Sequence, residues 1–287
     1  MRPCLPPEPP TKPRKALPVG TVDTHCHVVG PKARFPFAPE RSYNPPDATV
    51  SDYRKMRDTL GIDRAVLLSP LVHGYDNRAM LYALEQLGDT ARGVATLPPD
   101  VSDEEIAALH ERGVRGVRLS SLQDGRSRLR AFAAFAERLA PFGWHIDLYL
   151  EDADEIFDFE DSIRASPVPV VLEHMARVRG EAGPSSDAFQ CLLDLLLLTP
   201  HCWTKITSFY RLSYERDWSD MREIVQQLIR SAGDKLFWGT NWPHLVLFDP
   251  PVPDDATLAD WFVETAGDHA HRILVDNPAD FYGFDRA

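Results

Sequence analysis

Residues 22–28 read Val22-Asp23-Thr24-His25-Cys26-His27-Val28. The run opens on β-branched residues and ends in two histidines separated by one position. That pattern predicts a short buried strand over Val22–His27 with its polar residues at its C-terminal end. In a strand, residues two apart point the same way, so His25 and His27 are expected to project together. A nucleotide-binding open sheet would place a glycine-rich loop here instead. From Thr21 onward, short apolar runs alternate with helical patterns. Further strands are expected at Arg64–Ser69, Arg92–Leu97, Val114–Ser120, His145–Leu150, Val168–His174, Cys202–Thr207 and Leu236–Thr240. Helices are expected at Ser51–Leu60, Asn77–Leu87, Ser102–His110, Ser127–Leu139, Asp152–Ala165, Ser185–Leu197, Trp218–Ala232 and Ala256–Leu274. Ser102-Asp103-Glu104-Glu105 reads as a capping box. Eight strands alternating with eight helices imply parallel strands with helical crossovers, and the count favours a closed (β/α)8 TIM barrel of the α/β class.

The chain has 287 residues and is 44% hydrophobic, enough for one large buried core. We read residues 20–287 as that single barrel domain. Residues 1–19, rich in proline, read as an extended N-terminal arm over the surface or as a partly disordered one. They lack the apolar centre of a signal peptide. No stretch has the length of a membrane span; the run near Leu195 is short and carries Asp194. The net charge of −12 argues against nucleic-acid or anionic-membrane partners, while local arginines still allow a small anionic substrate. Four cysteines without a CxxC pair fit a reducing, cytoplasmic setting. A monomer or a small homo-oligomer is expected.

Polar residues cluster where the strands end, the catalytic face of such a barrel. They include His25 and His27, His73, Arg118, Ser120 and Ser121, Tyr149 and Glu151, then Glu173 and His174. Lys205, Thr207 and Arg211 follow, with Asn241 and His244 at the last strand. The loop over residues 28–50, rich in proline and aromatics, reads as a lid or substrate wall, or as a rigid excursion. His73 reads equally as a substrate donor or as a structural residue. Glu173 is expected to point away from its neighbour His174, toward a helix. Asp23 would orient an imidazole or cap the strand. Lys205 would form a barrel-core ion pair or touch substrate, and His145 would be structural.

The runs Val22–Val28, Leu172-Glu173-His174-Met175, Gly239-Thr240-Asn241-Trp242-Pro243-His244 and Asn277-Pro278 resemble the amidohydrolase superfamily, most of all its pyrone-dicarboxylate lactonase subgroup. The likeness runs from about Pro18 to Tyr282. It implies a hydrolase that opens the ring of a small carboxylated lactone by attack of water on the carbonyl. It also implies that His25, His27 and His174 polarise that carbonyl, that Arg118 and Arg211 hold carboxylates, and that Tyr43 and Tyr149 line the substrate. His73 and His244 join the substrate-binding candidates. The chain departs from the pattern twice. The last strand's aspartate base is here Asn241, whose carboxamide cannot accept a proton near neutral pH. It remains able to position water or substrate. A further substrate arginine is replaced by Asp124, with Arg126 and Arg128 nearby and best read as a solvated helix start.

The subgroup resembles a branch that requires no metal. If a divalent cation such as Zn2+ or Mn2+ is present, His25, His27 and His174 would hold it, without the usual carboxylate. Two alternatives stay open: a metal-dependent decarboxylase or carbon–carbon lyase of the same superfamily, and a non-catalytic binder of a carboxylated ligand.

Overall fold

The computed structural model describes residues 2–120 and 132–285. Eight parallel strands run in the order β1 to β8: Val22–Cys26, Arg64–Leu68, Ala91–Ala95, Val114–Ser120, His145–Tyr149, Val170–Leu172, Cys202–Ile206 and Leu236–Trp238. The barrel closes through the start of the chain and its last strand. Thr24 Oγ1 donates to the Trp238 carbonyl (2.8 Å), and Asn241 N donates to the His25 carbonyl (2.7 Å). His27 N donates to the Trp242 carbonyl (2.8 Å). The chain is a (β/α)8 barrel.

Local signals set several helix starts and stops. Helix α1 (Val50–Leu60) begins on the Thr49–Asp52 capping box and ends on Gly61 in the left-handed region. Helix α2 spans Arg78–Leu87, and α3 spans Asp103–Glu111 behind the anticipated Ser102–Glu105 box. Next come α4 (Phe132–Leu139), α5 (Ile156–Arg164) and α6 (Asp187–Leu198). A short α7 (Phe209–Leu212), absent from the sequence reading, follows β7 and precedes α8 (Ser219–Ala232). The long final helix expected over Ala256–Leu274 is instead interrupted. Helix α9 (Asp255–Ala266) stops at Gly267 (φ 53), a conformation glycine adopts without penalty. A π-helical turn at Arg272–Asp276 then leads into α10 (Asn277–Tyr282). The N-terminal half of the expected Ser127–Leu139 helix, with Ser121, Asp124, Arg126 and Arg128, lies outside the described residues.

The core has two parts. The larger fills the layer between strands and helices. The smaller joins Val22, Val66, Leu68, Val94, Val171 and Phe237 inside the barrel to Ala279, Tyr282 and Phe284 of the C-terminal segment. This plugs one end with apolar side chains and leaves the polar strand ends at the other. The arm from Arg2 to Val19 lies along the surface. Cys4 N bonds the Asn44 carbonyl, Leu5 N bonds the Leu247 carbonyl (both 2.9 Å), and Arg14 pairs with Asp260. All four cysteines are buried free thiols. No helix among the described residues is long and apolar enough to cross a membrane.

Candidate active site

The His25–His27 pair depends on an irregularity that the sequence does not announce. Val22 already faces the barrel interior, so strict alternation would turn His25 outward. Between Asp23 and Cys26, however, β1 spends three steps against two on β2. The extra residue resets the phase, as a bulge does. Asp23 anchors the irregularity from behind. It accepts hydrogen bonds from His25 N (3.2 Å), Thr240 N (2.9 Å), Thr240 Oγ1 (2.7 Å) and the Tyr53 hydroxyl (3.1 Å). It therefore fixes the His25 backbone and the turn after β8 together. Gly239 is required there, because a Cβ would lie 2.6 Å from His25 N.

At the end of β6 the structure corrects the sequence reading. Glu173 does not face a helix. Val171 points into the barrel, and Glu173, two residues on, follows it. His174 reaches the same side because strand geometry ends at Leu172. His174, Met175, Ala176 and Arg177 all adopt left-handed backbone, with φ between 50 and 65. Such a run of non-glycine residues is strained and is held by its surroundings. Glu173 accepts from Arg118 Nε (2.7 Å) and Arg118 Nη2 (2.6 Å), and both side chains are buried. Arg118 also lines the cavity.

The three histidines meet here. Ring centroids of His25 and His27 are 5.1 Å apart, and those of His25 and His174 are 4.7 Å apart. Burial pushes all three toward the neutral form. It is reinforced at His25 by His174, at His27 by Arg118, which brings His27 to about 3, and at His174 by Arg177 and Arg211. Their hydrogen bonds separate their roles. His27 Nδ1 lies 2.9 Å from the Leu68 carbonyl, which only accepts. The ring proton therefore sits on Nδ1, and neutral His27 presents a bare Nε2 to the cavity. His174 Nδ1 bonds the Thr207 hydroxyl, which can donate or accept, while the Glu173 carboxylate 3.7 Å from its Nε2 favours a proton on Nε2. Neither His25 nitrogen has a hydrogen-bond partner among the described residues.

A cavity of about 550 Å³ opens above them. His27, His174, Arg118, Asn241, Tyr43 and Tyr149 all line it, as does Arg211. Glu40, Arg41, Ser42 and Tyr43 make the loop over residues 28–50 one of its walls, with the Tyr43 hydroxyl accepting from Val72 N (3.0 Å). Three expected contacts lie elsewhere. His25 is fully buried beneath the cavity and does not line it. His73 does not line the cavity; its Nδ1 is 3.1 Å from the Pro36 carbonyl and its ring packs edge-on against Phe37. His244 stands behind the wall. Asn241 Nδ2 donates to the Tyr210 hydroxyl (2.9 Å), Tyr210 bonds His244 Nδ1 (2.8 Å), and His244 Nε2 lies 3.2 Å from Asp255 Oδ1. Burial opposes a charge on His244, but Tyr210 and Asp255 outweigh it and raise its pKa to about 9. Lys205 is a core ion pair: its Nζ is 2.8 Å from Asp147 Oδ2, and both are fully buried. His145 packs against Phe281 and Tyr282 at the plugged end, in keeping with a structural role.

Sequence reasoning missed Arg177, Tyr210 and the inward turn of Glu173. Arg177 lines the cavity beside Tyr149, and among the described residues no carboxylate pairs with it. Only its place three residues after His174 hinted at this, because a regular helix start would have carried it away. His25, Glu173 and His174 place three possible ligand atoms within 4.8 Å of one another, a cluster compatible with a divalent cation. Two of its members match the histidines expected to serve; Glu173 stands in place of His27.

An eight-stranded parallel barrel with a histidine pair on β1 and a third histidine after β6 defines a hydrolase-type barrel site. The chain belongs to the amidohydrolase family, whose model matches residues 22–284. It is 38% identical to a 2-pyrone-4,6-dicarboxylate hydrolase of Comamonas testosteroni, over 95% of this chain and 93% of that one. It is 36% identical to a 4-sulfomuconolactone hydrolase of Rhizobium radiobacter, over 93% and 91% of the two chains. Among solved structures, a probable 2-pyrone-4,6-dicarboxylic acid hydrolase of Acinetobacter baumannii with citric acid bound superposes with a TM-score of 0.81. It is 24% identical, and the match covers 93% of this chain and 100% of that one.

Proposed function

We propose that this chain is a hydrolase that opens the ring of a small carboxylated lactone by water attack on the ring carbonyl. The observation that carries the reading is one cavity holding a histidine together with Arg177 and Arg211, which pair with no carboxylate among the described residues. In acyl transfer, donors must be aimed where the oxyanion develops. His174 Nε2–H is the ring whose tautomer suits that role; His25 supports it from below, and His27 offers an acceptor to water or substrate. Arg211 and Arg177 supply permanent positive charge for a substrate carboxylate, beside Arg118. Tyr43 and Tyr149 pack against the ring. Asn241 orients the water. The relatives that act on pyrone dicarboxylate and sulfomuconolactone support this substrate class. Ring-opening assays on 2-pyrone-4,6-dicarboxylate and on muconolactones test it; no turnover of any lactone by either the unaltered chain or Asn241→Asp would sink it.

We also propose that hydrolysis needs no metal. A cation at His25, Glu173 and His174 would have to displace the Arg118 guanidinium, which already neutralises the cluster's one carboxylate. The same cluster is what favours a second reading, a metal-dependent decarboxylase or carbon–carbon lyase. One equivalent of tightly held Zn2+ or Mn2+ in the purified protein would select it.

A further inference from the structure

Two walls of the cavity are loop backbone. Residues 40–43, after β1, form one, and Leu245 and Val246, after β8, form the other. Neither stretch belongs to a helix or strand. Among the described residues, residues 39–47 make one main-chain hydrogen bond to a distant part of the chain, from Cys4 N to the Asn44 carbonyl (2.9 Å). Residues 245–249 also make one, from Leu5 N to the Leu247 carbonyl (2.9 Å). Side chains add to these: the Tyr43 hydroxyl accepts from Val72 N, and Arg211 Nη1 donates to the Leu245 carbonyl (3.3 Å). Both main-chain donors are adjacent residues of the N-terminal arm. In extended backbone, successive N–H groups point to opposite sides, so one dipeptide reaches both loops. A parallel bridge between Pro3 and Asn44 shows the same strand-like pairing.

The junction lies close behind the substrate cavity. Cys4 is buried, and its sulfur sits against the backbones of Val246 and Asn44, within electrostatic reach of Arg211 and Tyr43. Asn44 Oδ1 in turn accepts from Arg41 Nη2 (3.4 Å), and Arg41 lines the cavity. Val246 has φ 62, a conformation that a β-branched residue adopts only when its surroundings impose it. Cys4 beside it and the Leu5–Leu247 bond next to it supply such surroundings. Farther along, the arm has separate anchors on α9 and its cap. Thr11 N donates to Asp254 Oδ1 (3.1 Å), and Arg14 N donates to Asp260 Oδ1 (2.9 Å). The arm therefore stays docked when its first residues let go.

Resting on the lactonase reading, we propose that Cys4 and Leu5 are positioning residues of the active site, a main-chain clamp that joins the wall after β1 to the wall after β8 and sets the width of the cavity between them. Neither residue touches substrate. They act through Asn44 on Arg41 and Tyr43, and through Leu247 on Leu245 and Val246. The barrel does not need the clamp to fold, because both loops lie outside the strands and the two parts of its core. Substrate binding needs it, because residues on both walls must close on one small ring at once.

The test compares two double variants of the full chain, Cys4→Pro with Leu5→Pro and Cys4→Ala with Leu5→Ala. Both lose the same side chains, but only proline removes the N–H donors. The melting temperature should fall by less than about 4 °C per lost hydrogen bond. If the double proline variant fails to fold, the single proline variants decide by the same readouts. Hydrogen exchange in the free protein should quicken about fivefold or more in the proline variant at the amides of Ala38 and Ala48, which flank the first wall and bond the Val72 and Val29 carbonyls (both 2.8 Å). On whichever panel lactone is opened, the proline variant should raise KM about tenfold over the alanine variant and hold kcat within about threefold, because a displaced wall weakens binding in ground and transition states alike. Equal exchange in the two variants overturns the clamp. So does faster exchange with equal KM. If neither the unaltered chain nor Asn241→Asp opens any lactone, the lactonase reading falls and exchange alone decides the clamp: faster exchange supports it, and equal exchange overturns it.

Discussion

Glu173 is gripped by Arg118 through two hydrogen bonds of 2.7 and 2.6 Å; the carboxylate is fully buried and the guanidinium nearly so. The pair crosses from β4 to the residue after β6 and forms the floor of the cavity. Breaking one member of a buried pair leaves the other charged and alone, at a cost of about 3–5 kcal/mol. We expect Glu173→Gln to lower unfolding stability by about 3 kcal/mol in urea titrations and to reduce turnover, because Arg118 is then free to swing into the substrate's place. A variant as stable as the parent would show that the pair does not hold the floor.

Asp147 and Lys205 form a second buried pair deeper in the barrel. Burial alone would raise the Asp147 pKa; Lys205 and His145 more than reverse this and lower it. A depressed folded-state value means that the contribution to stability is complete above the ordinary aspartate range, roughly pH 4, and is lost as pH falls through the lower folded value. Asp147→Asn should abolish that part of the acid unfolding curve and weaken the protein at pH 7. The double change Asp147→Leu with Lys205→Met should recover much of the loss, since an apolar pair leaves no unpaired charge. A double variant less stable than the single one contradicts this account.

Arg177 and Arg211 line the cavity without carboxylate partners among the described residues. Replacing either with Met should raise KM for a carboxylated lactone by at least about tenfold, with a smaller change in kcat, because charge-assisted contacts to a remote carboxylate act on ground and transition states alike. Competition by a simple dicarboxylate should weaken in parallel. Unchanged KM in both variants would remove the arginines from substrate recognition.

Gly239→Ala places a Cβ 2.6 Å from His25 N and 2.8 Å from His25 Cβ. Both neighbours belong to the backbone region that Asp23 pins, so neither can move aside cheaply. We expect a large drop in melting temperature together with loss of activity. Full activity at normal stability would mean that the β1–β8 seam is more yielding than its hydrogen bonds indicate.

Dialysis against a strong chelator should leave lactone hydrolysis intact, since Arg118 already supplies the charge that Glu173 needs. Activity that disappears and returns on adding Zn2+ or Mn2+ would move the assignment to the metal-dependent branch.

Much of the architecture was legible in the residues. The capping box at Ser102–Glu105, the stops at Gly61 and Gly88, and the β-branched strand runs are local signals, and local hydrogen bonding realises them directly. Strand β4 spans Val114–Ser120, as its pattern indicates. The histidines at the ends of β1 and β6 and the cavity residues Arg118, Tyr149, Arg211 and Asn241 were legible by position, while Tyr43 came only from the family resemblance. Helix α9 was not, because Gly267 inside a helical pattern is read as tolerated until its backbone angle is seen.

By itself the sequence determined the barrel, the mouth at which the polar residues gather, and the absence of a carboxylate at position 241. Only the tertiary structure decided which way those residues face and what each one holds. A one-residue bulge turned His25 inward, four left-handed residues brought His174 and Arg177 to one cavity, and Tyr210 and His244 lined up behind Asn241. The physical reason is that periodicity fixes a side chain's direction only while the backbone stays regular. At this site the backbone leaves regularity on two strands, and contacts between residues far apart in the chain settle the outcome.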